Sequence, residues 1–356
     1  MKKVLTIVGA RPQFVKAAVV SRAIRDSSTL EEVMVHTGQH FDELMSESFF
    51  RDLRIPEPKH NLGISSLSHG AMTGRMLEAI EEVLVAESPS AVMVFGDTNS
   101  TLAGALAARK LHLTLVHVEA GLRSFDNTMP EEINRILTDR ISDILYCPTE
   151  TAVKNLEAEG FSNFNARVTN VGDVMFDAVL HFRNSETAKH IVSLPERFAL
   201  CTLHRAENVD DPERLRSIFE ALDEITNDME VLFPVHPRTK AAMLRSGIVT
   251  RAHVVDPFGY VEMLDAISRS EVVLTDSGGL QKEAFFLGKY CITLRDTTEW
   301  TELVETGVNA LVGSDRDRIV AEFRRSLNLD HDFSARPYGD GNAGHRIVAE
   351  LEAYLA

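Results

Sequence analysis

Three carboxylates in the first half of the chain occupy positions suited to acid–base chemistry. Asp97 follows the apolar run Ala91–Phe95, Glu119 follows the apolar run Leu115–Val118, and Glu131 lies in the first turn of an expected helix. A helix cap explains Asp97, and a favourable helix-dipole position explains Glu131, without any chemistry. Glu119 is harder to explain in this way, because a carboxylate directly after a buried strand must find a partner or face a cavity. As a set, the three can share one cleft, as the paired acid and base groups of an enzyme must.

Basic and histidine side chains follow other apolar runs. Arg11 comes after the first run, near the start of a helix, where backbone N–H groups and the helix dipole favour an anion. A role in capping a surface turn explains Arg11 equally well. His204 and His236 each stand near an arginine after an expected strand, which suits phosphate binding or proton transfer. A structural role explains either histidine equally well, and their separation in sequence gives no metal-binding pattern.

The segment Thr275–Glu283 carries the most specific signal. An expected strand leads into Ser277-Gly278-Gly279 and then into a helix. Backbone N–H groups and a serine hydroxyl at a helix start can hold a diphosphate, and Glu283, one turn further on, can reach a ribose diol. A plain tight turn is the alternative. The segment is not a GxSxG elbow, so Ser277 is not expected to be a hydrolase nucleophile. The turn after Gly9 lacks the later glycines of GxGxxG, and the chain has no GxxxxGK[ST] motif, which disfavours NAD and P-loop chemistry.

The elements that must position these residues alternate along the chain. Apolar, strand-like runs are Val4–Val8, Val33–Thr37, Ala91–Phe95, Leu115–Val118, Phe198–Thr202, Val231–Val235, Val272–Thr275 and Cys291–Leu294. Helical spacing appears in Gln13–Arg25, Met72–Ala86, Asn99–Leu111, Leu215–Ile225, Val261–Ser270, Leu280–Leu287 and Gly344–Leu355. Nearly continuous apolar runs are typical of parallel strands buried on both faces. The pattern predicts two α/β units in tandem, connected near residues 170–195, with ligands beyond the carboxyl ends of the strands.

Composition narrows the class of protein. A chain of 356 residues has room for two domains at roughly 150 residues each. The formal net charge of -16 disfavours nucleic acid as a partner. Three cysteines far apart in sequence, Cys147, Cys201 and Cys291, fit a reducing cytoplasm. No apolar run reaches the ~18 residues of a membrane span. We therefore expect a cytoplasmic protein without a membrane segment.

These motifs, in this order, resemble the non-hydrolysing UDP-N-acetylglucosamine 2-epimerase family. The resemblance runs almost end to end, over Gly9–Lys16, Thr37–His40, Gly96–Thr98, His117–Arg123, Pro130–Arg135, His204–Asn208, Pro234–Arg238, Thr275–Glu283 and Arg295–Glu299. It implies a GT-B architecture, in which two Rossmann-like domains hold the nucleotide between them and a last helix crosses back to the first domain. The domains are then 1–172 with 343–356, and 173–342. A homodimer without metal or cofactor is also implied.

The family chemistry inverts carbon 2 of a UDP-2-acetamido sugar by eliminating UDP to a glycal and adding it back. By resemblance, the catalytic set is Asp97, Glu119, Glu131 and His204. The residues that bind the UDP-sugar are Arg11, Lys16, Arg135, Ser277, Gly278, Gly279, Glu283 and Arg295. Many members bind a second UDP-sugar as activator, which assigns Gln39, His40 and His236 to a second or regulatory site. The resemblance leaves open which carboxylate is acid and which is base.

Departures from the commoner family pattern bear on the substrate. Gln13, Ala206 and Trp300 stand where Glu, Arg and Arg are frequent, which is closer to the branch acting on UDP-2,3-diacetamido-2,3-dideoxy-glucuronate, a precursor of surface polysaccharides. If Gln13 lines the cleft, a glutamate there would repel a uronate by roughly 3 kcal/mol at ~6 Å, a penalty that Gln13 removes. The alternative is a solvated first-turn residue.

Four other functions stay open on the sequence. UDP-N-acetylglucosamine is the alternative substrate for the same reaction. A GT-B glycosyltransferase, a non-catalytic UDP-sugar-binding module and a hydrolysing epimerase are more distant alternatives, because a shared fold does not decide function.

Overall fold

The computed structural model describes residues 1–39, 55–183 and 194–356. These residues form two compact units, Met1–Ala178 with Arg336–Ala356, and Val179–Ala335. Each unit contains one parallel sheet, as predicted. The functional domain boundaries at 172 and 343 stay a prediction.

The first unit is built on a sheet of the order β3-β2-β1-β4-β5-β6-β7. Its strands are β1 (Lys2–Val8), β2 (Leu30–His36), β3 (His60–Asn61), β4 (Ala91–Phe95), β5 (Thr114–Val118), β6 (Ile144–Cys147) and β7 (Arg167–Asn170). Its helices are α1 (Arg11–Arg25), α2 (His69–Glu87), α3 (Asn99–Lys110), α4 (Pro130–Ile141), α5 (Glu150–Ala158) and α6 (Val174–Phe182), in which the division between the units falls.

The second unit is built on a sheet of the order β10-β9-β8-β11-β12-β13. Its strands are β8 (Phe198–Thr202), β9 (Glu230–Pro234), β10 (His253–Val255), β11 (Val272–Thr275), β12 (Tyr290–Thr293) and β13 (Asn309–Leu311). Its helices are α7 (Ala206–Val209), α8 (Pro212–Ile225), α9 (Pro237–Ser246), α10 (Tyr260–Arg269), α11 (Gly278–Phe286), α12 (Thr301–Glu305) and α13 (Arg316–Ser326).

The strand order places a topological switch point in each sheet. In the first unit the order reverses between β1 and β4, and in the second unit it reverses between β8 and β11. All these central strands are fully buried apart from the first two residues of β1, because helices cover both faces. In open α/β sheets, ligands bind where the order reverses, beyond the carboxyl ends of the strands. Arg11, Asp97, His204 and Ser277 lie there.

The last helix, α14 (Ala343–Leu355), belongs to the first unit, as predicted. It packs closely on α1, since a Cβ built on Gly344 would lie 2.6 Å from Val19 Cγ1. The Asp177 carboxylate accepts hydrogen bonds from the first backbone N–H groups of α14, at 3.1 and 2.9 Å. These bonds satisfy donors that a helix start otherwise leaves without partners. Among the described residues, no helix combines the length and the apolar character needed to cross a bilayer.

Candidate active site

Two of the predicted catalytic carboxylates follow neighbouring strands. Phe95, the last residue of β4, pairs in register with Val118, the last residue of β5, and Asp97 and Glu119 follow within two residues. Glu119 has a φ of 69°, in the left-handed region. This conformation costs an ordinary residue on the order of 1–2 kcal/mol, and such strain concentrates at functional sites.

Lys16 and Glu119 form a buried ion pair. Their side chains are 10% and 6% exposed, and the Lys16 ammonium donates directly to Glu119 Oε2. Gly96 lies against this pair, since a Cβ built on it would be 3.2 Å from both Lys16 Nζ and Glu119 Oε2. With its φ of 59°, Gly96 needs both the space and the conformational freedom of glycine. The turn after β4 is therefore built around the Glu119 carboxylate.

Arg135 holds the second carboxylate. From helix α4 its guanidinium donates to Asp97 Oδ2 and, over 3.0 Å, to Glu132 Oε2. Glu132 is wholly buried and also accepts from the backbone N–H groups of Ser124 and Phe125, each at 2.9 Å. Glu132 thus fixes both the guanidinium and the loop that precedes α4. Glu132 was not among the site residues predicted from the sequence.

Glu131 differs from the other two carboxylates. It lies at the start of α4 with a half-buried side chain. Its carboxylate makes no hydrogen bond or ion pair with any other described residue. Asp97 and Glu119 each have a cationic partner. Within the part of the chain that the structure describes, Glu131 differs from them because its carboxylate has no such partner.

Gln13 corrects an assumption of the sequence analysis. It is 1% exposed, so it neither lines a cleft nor faces solvent. Its Oε1 accepts from the backbone N–H groups of Gly9 and Ala10, at 2.8 and 3.0 Å. Its Nε2 donates to Phe95 O and Thr101 Oγ1, at 2.8 and 2.9 Å. Gln13 therefore joins the turn before α1 to the end of β4, and the electrostatic argument for a uronate substrate loses its basis.

Three further predicted residues belong to the first half of the chain, namely Arg11, Gln39 and His40. Arg11 is the first residue of α1, in the turn that Gln13 holds, with a half-buried side chain. Gln39 accepts from the backbone N–H and hydroxyl of Ser100, at 3.0 and 2.7 Å, so its amide oxygen is used within the unit. His40 lies outside the described residues.

In the second unit, a buried carboxylate joins the ends of β8 and β11. Asp276, wholly buried, accepts from the backbone N–H groups of His204 and Arg205, at 3.1 and 2.9 Å, and from Asn208 Nδ2 at 3.3 Å. His204 Nδ1 lies 3.4 Å from the same carboxylate, and the ring is partly exposed. Asp276 was not among the site residues predicted from the sequence. A buried acid between a strand and a Ser-Gly-Gly turn is the signal that predicts its role.

His236 lies near His204. The centres of the two rings are 5.7 Å apart. His236 is also the N-cap of α9, where its Nδ1 accepts from Arg238 N at 3.2 Å. His236 therefore has a local structural role, and its proposed part in a second site rests on the resemblance alone.

Ser277, Gly278 and Gly279 form the start of helix α11. Ser277 is the N-cap, and its Oγ accepts from Leu280 N. A Cβ on Gly278 would lie 2.3 Å from Glu299 Oε1, so this position admits only glycine unless Glu299 moves. Glu299 in turn pairs with Arg295 at 3.0 Å. Small residues and backbone N–H groups at a helix start are suited to holding an anion.

Buried charges surround that helix start. Arg295 and Glu283 are 2% and 4% exposed. Lys282, 1% exposed, places its ammonium 3.9 Å from the centre of the Trp300 ring, a cation–π contact. Within residues 1–39, 55–183 and 194–356, no three His, Cys, Asp or Glu side chains are grouped to hold a metal ion.

Comparison with known proteins identifies the family. The family model described as UDP-N-acetylglucosamine 2-epimerase matches residues 22–352. The chain belongs to this 2-epimerase family. A Pseudomonas aeruginosa relative, named UDP-2,3-diacetamido-2,3-dideoxy-D-glucuronate 2-epimerase, is 56% identical over 98% of this chain and 99% of that protein. The resemblance found in the sequence is thus confirmed at the level of the family.

Other family members are similar over the same length. A Methanocaldococcus jannaschii protein named UDP-N-acetylglucosamine 2-epimerase is 43% identical over 98% of each chain. A crystal structure of the UDP-GlcNAc 2-epimerase from that organism, in complex with UDP-GlcNAc and UDP, has a TM-score of 0.92, 42% identity and 99% coverage of each chain. The two Rossmann-like sheets and this similarity confirm the predicted GT-B fold class.

Proposed function

We propose that the chain is an isomerase that inverts carbon 2 of a UDP-2-acetamido sugar by eliminating UDP and adding it back. The substrate we propose is UDP-2,3-diacetamido-2,3-dideoxy-glucuronate, converted to its manno epimer. The observation that carries the reaction type is the pair of carboxylates at neighbouring strand ends, Asp97 with Arg135 and Glu119 with Lys16. The 56% identity to the relative with that name supports the substrate.

The proposed chemistry requires carboxylates that can exchange protons. The hydrogen at carbon 2 is not adjacent to a carbonyl, so it is poorly acidic. Cleavage of the anomeric C–O bond builds positive charge on the neighbouring carbon, and a carboxylate then takes the carbon-2 proton while UDP leaves with the bonding electrons. The product is a glycal. A proton returned to the other face, with UDP added back at the anomeric carbon, gives the epimer. In this proposal Asp97, Glu119 and Glu131 carry the protons.

The departing UDP requires stabilisation of its diphosphate. Backbone N–H groups at the start of α11, beside Ser277, Gly278 and Gly279, are placed as donors for such a group. In this proposal Arg11, His204 and Arg295 add positive charge or hydrogen bonds, and Glu283 binds the ribose diol. Lys16 and Arg135, which pair with Glu119 and Asp97, also bind the sugar in this proposal.

The proposal also covers the oligomeric state, the cellular location and the cofactors of the enzyme. They are a homodimer, a cytoplasmic enzyme, and a reaction without metal or nicotinamide. A second UDP-sugar near Gln39, His40 and His236 stays a proposal as well.

UDP-N-acetylglucosamine is the second candidate substrate. The relative named for this substrate is 43% identical over 98% of the chain, and the crystal structure with the TM-score of 0.92 contains UDP-GlcNAc. Buried Gln13 gives no reason to prefer a uronate. The choice between the two substrates therefore rests on the higher identity to the relative from P. aeruginosa.

The test is a direct comparison of the two UDP-sugars as substrates. We expect a higher kcat/KM for the diacetamido-uronate than for UDP-N-acetylglucosamine, with the manno epimer appearing without any acceptor. A higher kcat/KM for UDP-N-acetylglucosamine would overturn the proposed substrate and leave the reaction type intact. Transfer to an acceptor, or release of free sugar, would overturn the reaction type.

A further inference from the structure

A buried asparagine of helix α4 is hydrogen-bonded to the turn that carries Asp97. Asn134 is 6% exposed, and its Nδ2 donates to the backbone carbonyl oxygen of Asp97 at 2.9 Å and to Asn99 Oδ1 at 3.3 Å. A carbonyl oxygen only accepts hydrogen bonds, so the NH₂ end of the Asn134 amide must face Asp97. One side chain of α4 therefore holds both the turn after β4 and the first residue of α3.

The next residue of α4 holds the same acid at a second point. Arg135 donates to Asp97 Oδ2, so the side chain of Asp97 is bonded to Arg135 and its backbone is bonded to Asn134. An ion pair at the carboxylate alone would leave the backbone of Asp97 free to shift. Two contacts from consecutive residues of one helix fix the backbone and the carboxylate together.

The same helix carries a second proposed acid–base residue. Residues three and four positions apart lie on one face of a helix, so Glu131, Asn134 and Arg135 share a face of α4. Ile133 lies on the other side of the helix and is 47% exposed. The two contacts to Asp97 therefore attach it to the rigid element from which Glu131 projects.

The residues on either side of Asp97 are bonded to other elements. Gly96 N donates to Val118 O of β5 at 3.0 Å, and Thr98 N donates to Thr101 Oγ1 of α3 at 3.1 Å. These bonds connect the turn to β5 and α3, and Asn134 adds the connection to α4. The exchange of the Gly96 and Thr98 N–H hydrogens with solvent therefore reports how firmly the turn is held.

We propose that Asn134 is a positioning residue, which fixes the backbone of Asp97 relative to Glu131, so that two of the proposed acid–base carboxylates keep one spacing. An amide is neither an acid nor a base in proton transfer, so Asn134 acts through Asp97. Its effect on catalysis rests on the proposed function, but its hold on the turn does not.

The hold on the turn can be measured without substrate. In Asn134→Ala, hydrogen–deuterium exchange at Gly96 and Thr98 should be about threefold to tenfold faster than in the unaltered protein, the factor that the loss of one hydrogen bond corresponds to. If Asn134→Ala does not fold, Asn99→Ala, which removes the acceptor of the second N–H, is measured in its place and should change exchange in the same direction. Unchanged exchange in the folded variant would overturn the proposal.

The effect on catalysis is tested with the same variant. We expect kcat for epimerisation to fall about tenfold to a hundredfold in Asn134→Ala, the scale of an ångström-sized misplacement, with the Kd of UDP unchanged. Ser142→Ala is the matched control, because Ser142 Oγ makes a buried hydrogen bond of 2.8 Å to Thr138 O at the opposite end of α4. It should lower Tm without changing kcat or the exchange at Gly96 and Thr98. A kcat in folded Asn134→Ala equal to that of the control would overturn the positioning role.

A double variant separates positioning from a general loss of structure. Added to Asp97→Asn, Asn134→Ala should lower kcat by less than about twofold, because the carboxylate that Asn134 positions is already absent. A loss by the same factor with and without the Asp97 carboxylate would show that Asn134 does not act through Asp97. If the unaltered protein epimerised no UDP-2-acetamido sugar, the proposed function would fall, and hydrogen exchange would still decide whether Asn134 holds the turn.

Discussion

The two units hold the carboxylates at their strand ends in different ways. In the first unit the carboxylates form ion pairs, whereas in the second unit the Asp276 carboxylate accepts hydrogen bonds from backbone N–H groups. Glu119 and Asp97 each have a cationic partner from a helix, Lys16 and Arg135. Asp276 accepts from the backbone N–H groups of His204 and Arg205 and from the side-chain amide of Asn208. Carboxylates are groups that can exchange protons with a substrate, whereas backbone N–H groups suit an anion that must only be held. In the proposed function, the two units therefore serve different parts of one reaction.

Removing a carboxylate of the first unit should give the largest effect. Glu119→Gln and Asp97→Asn keep shape and remove the base, so we expect kcat to fall about a hundredfold or more, the scale of acid–base groups. The Kd of UDP should stay within a few-fold. Glu82→Gln, an exposed carboxylate of α2, is the control and should be unchanged. If Glu119→Gln and Asp97→Asn lost kcat and UDP affinity equally, the first unit would also bind UDP, and the proposed separation of roles between the units would be wrong.

The second unit can be weakened at Asp276. Asp276→Ala leaves buried N–H donors of His204, Arg205 and Asn208 without their acceptor, so we expect a loss of about 3 kcal/mol in the free energy of unfolding. The rise in Tm that UDP produces should disappear.

Asp211→Ala is the control, because Asp211 also accepts from two backbone N–H groups, at the exposed start of α8. It should cost about 1 kcal/mol and leave UDP binding intact. Unaltered UDP binding in folded Asp276→Ala would show that the turn after β8 does not depend on this carboxylate.

Gln13→Glu tests the hydrogen bonds that the buried Gln13 side chain makes in the first unit. A buried carboxylate cannot donate to Phe95 O, so we expect a loss of about 2 kcal/mol in unfolding free energy at neutral pH, measured by denaturant titration. Burial favours the protonated carboxyl, which can donate, so the loss should shrink as pH falls. If Gln13→Glu instead kept full stability and changed the substrate preference, Gln13 would act on the substrate after all.

Buried His36 should make the stability of the first unit depend on pH. Burial lowers the pKa of His36 from 6.5 to about 4, so the folded protein keeps the ring neutral while the unfolded chain takes up a proton below about pH 6.5. Stability should therefore fall as pH decreases from 6.5 towards 4, by up to about 1.4 kcal/mol per pH unit. His36→Gln should reduce this slope between about pH 6 and 5. An unchanged slope would show that other groups cause the acid sensitivity.

The central strands could be predicted from sequence because they are buried on both faces. Ala91–Phe95, Phe198–Thr202 and Val272–Thr275 were predicted with the observed bounds. The short strands β3, β7 and β10 were not predicted, since all of their residues are at least partly exposed and give no continuous apolar run. The connection expected near 170–195 contains helix α6, whose Asp177 caps the last helix.

The site could be predicted less completely than the fold. Strand ends and motif order indicated Asp97, Glu119 and Ser277 as candidates. Gln13 and Glu132 were not predictable in their roles, because nothing in the sequence shows that these two helical side chains are buried. Gln13 also donates to Phe95 O, which lies 82 residues along the chain, whereas Glu132 holds the loop that precedes its own helix.

In the proposed function, the first unit moves the carbon-2 proton and the second unit holds UDP. The most direct measurement is proton NMR of the UDP-2-acetamido sugar in heavy water, with the unaltered protein and with Glu119→Gln. We predict that the unaltered protein replaces the carbon-2 hydrogen by deuterium as the manno epimer appears, and that Glu119→Gln binds UDP but exchanges this hydrogen about a hundredfold more slowly. Epimer that retains its carbon-2 hydrogen, or normal exchange in Glu119→Gln, would contradict the account.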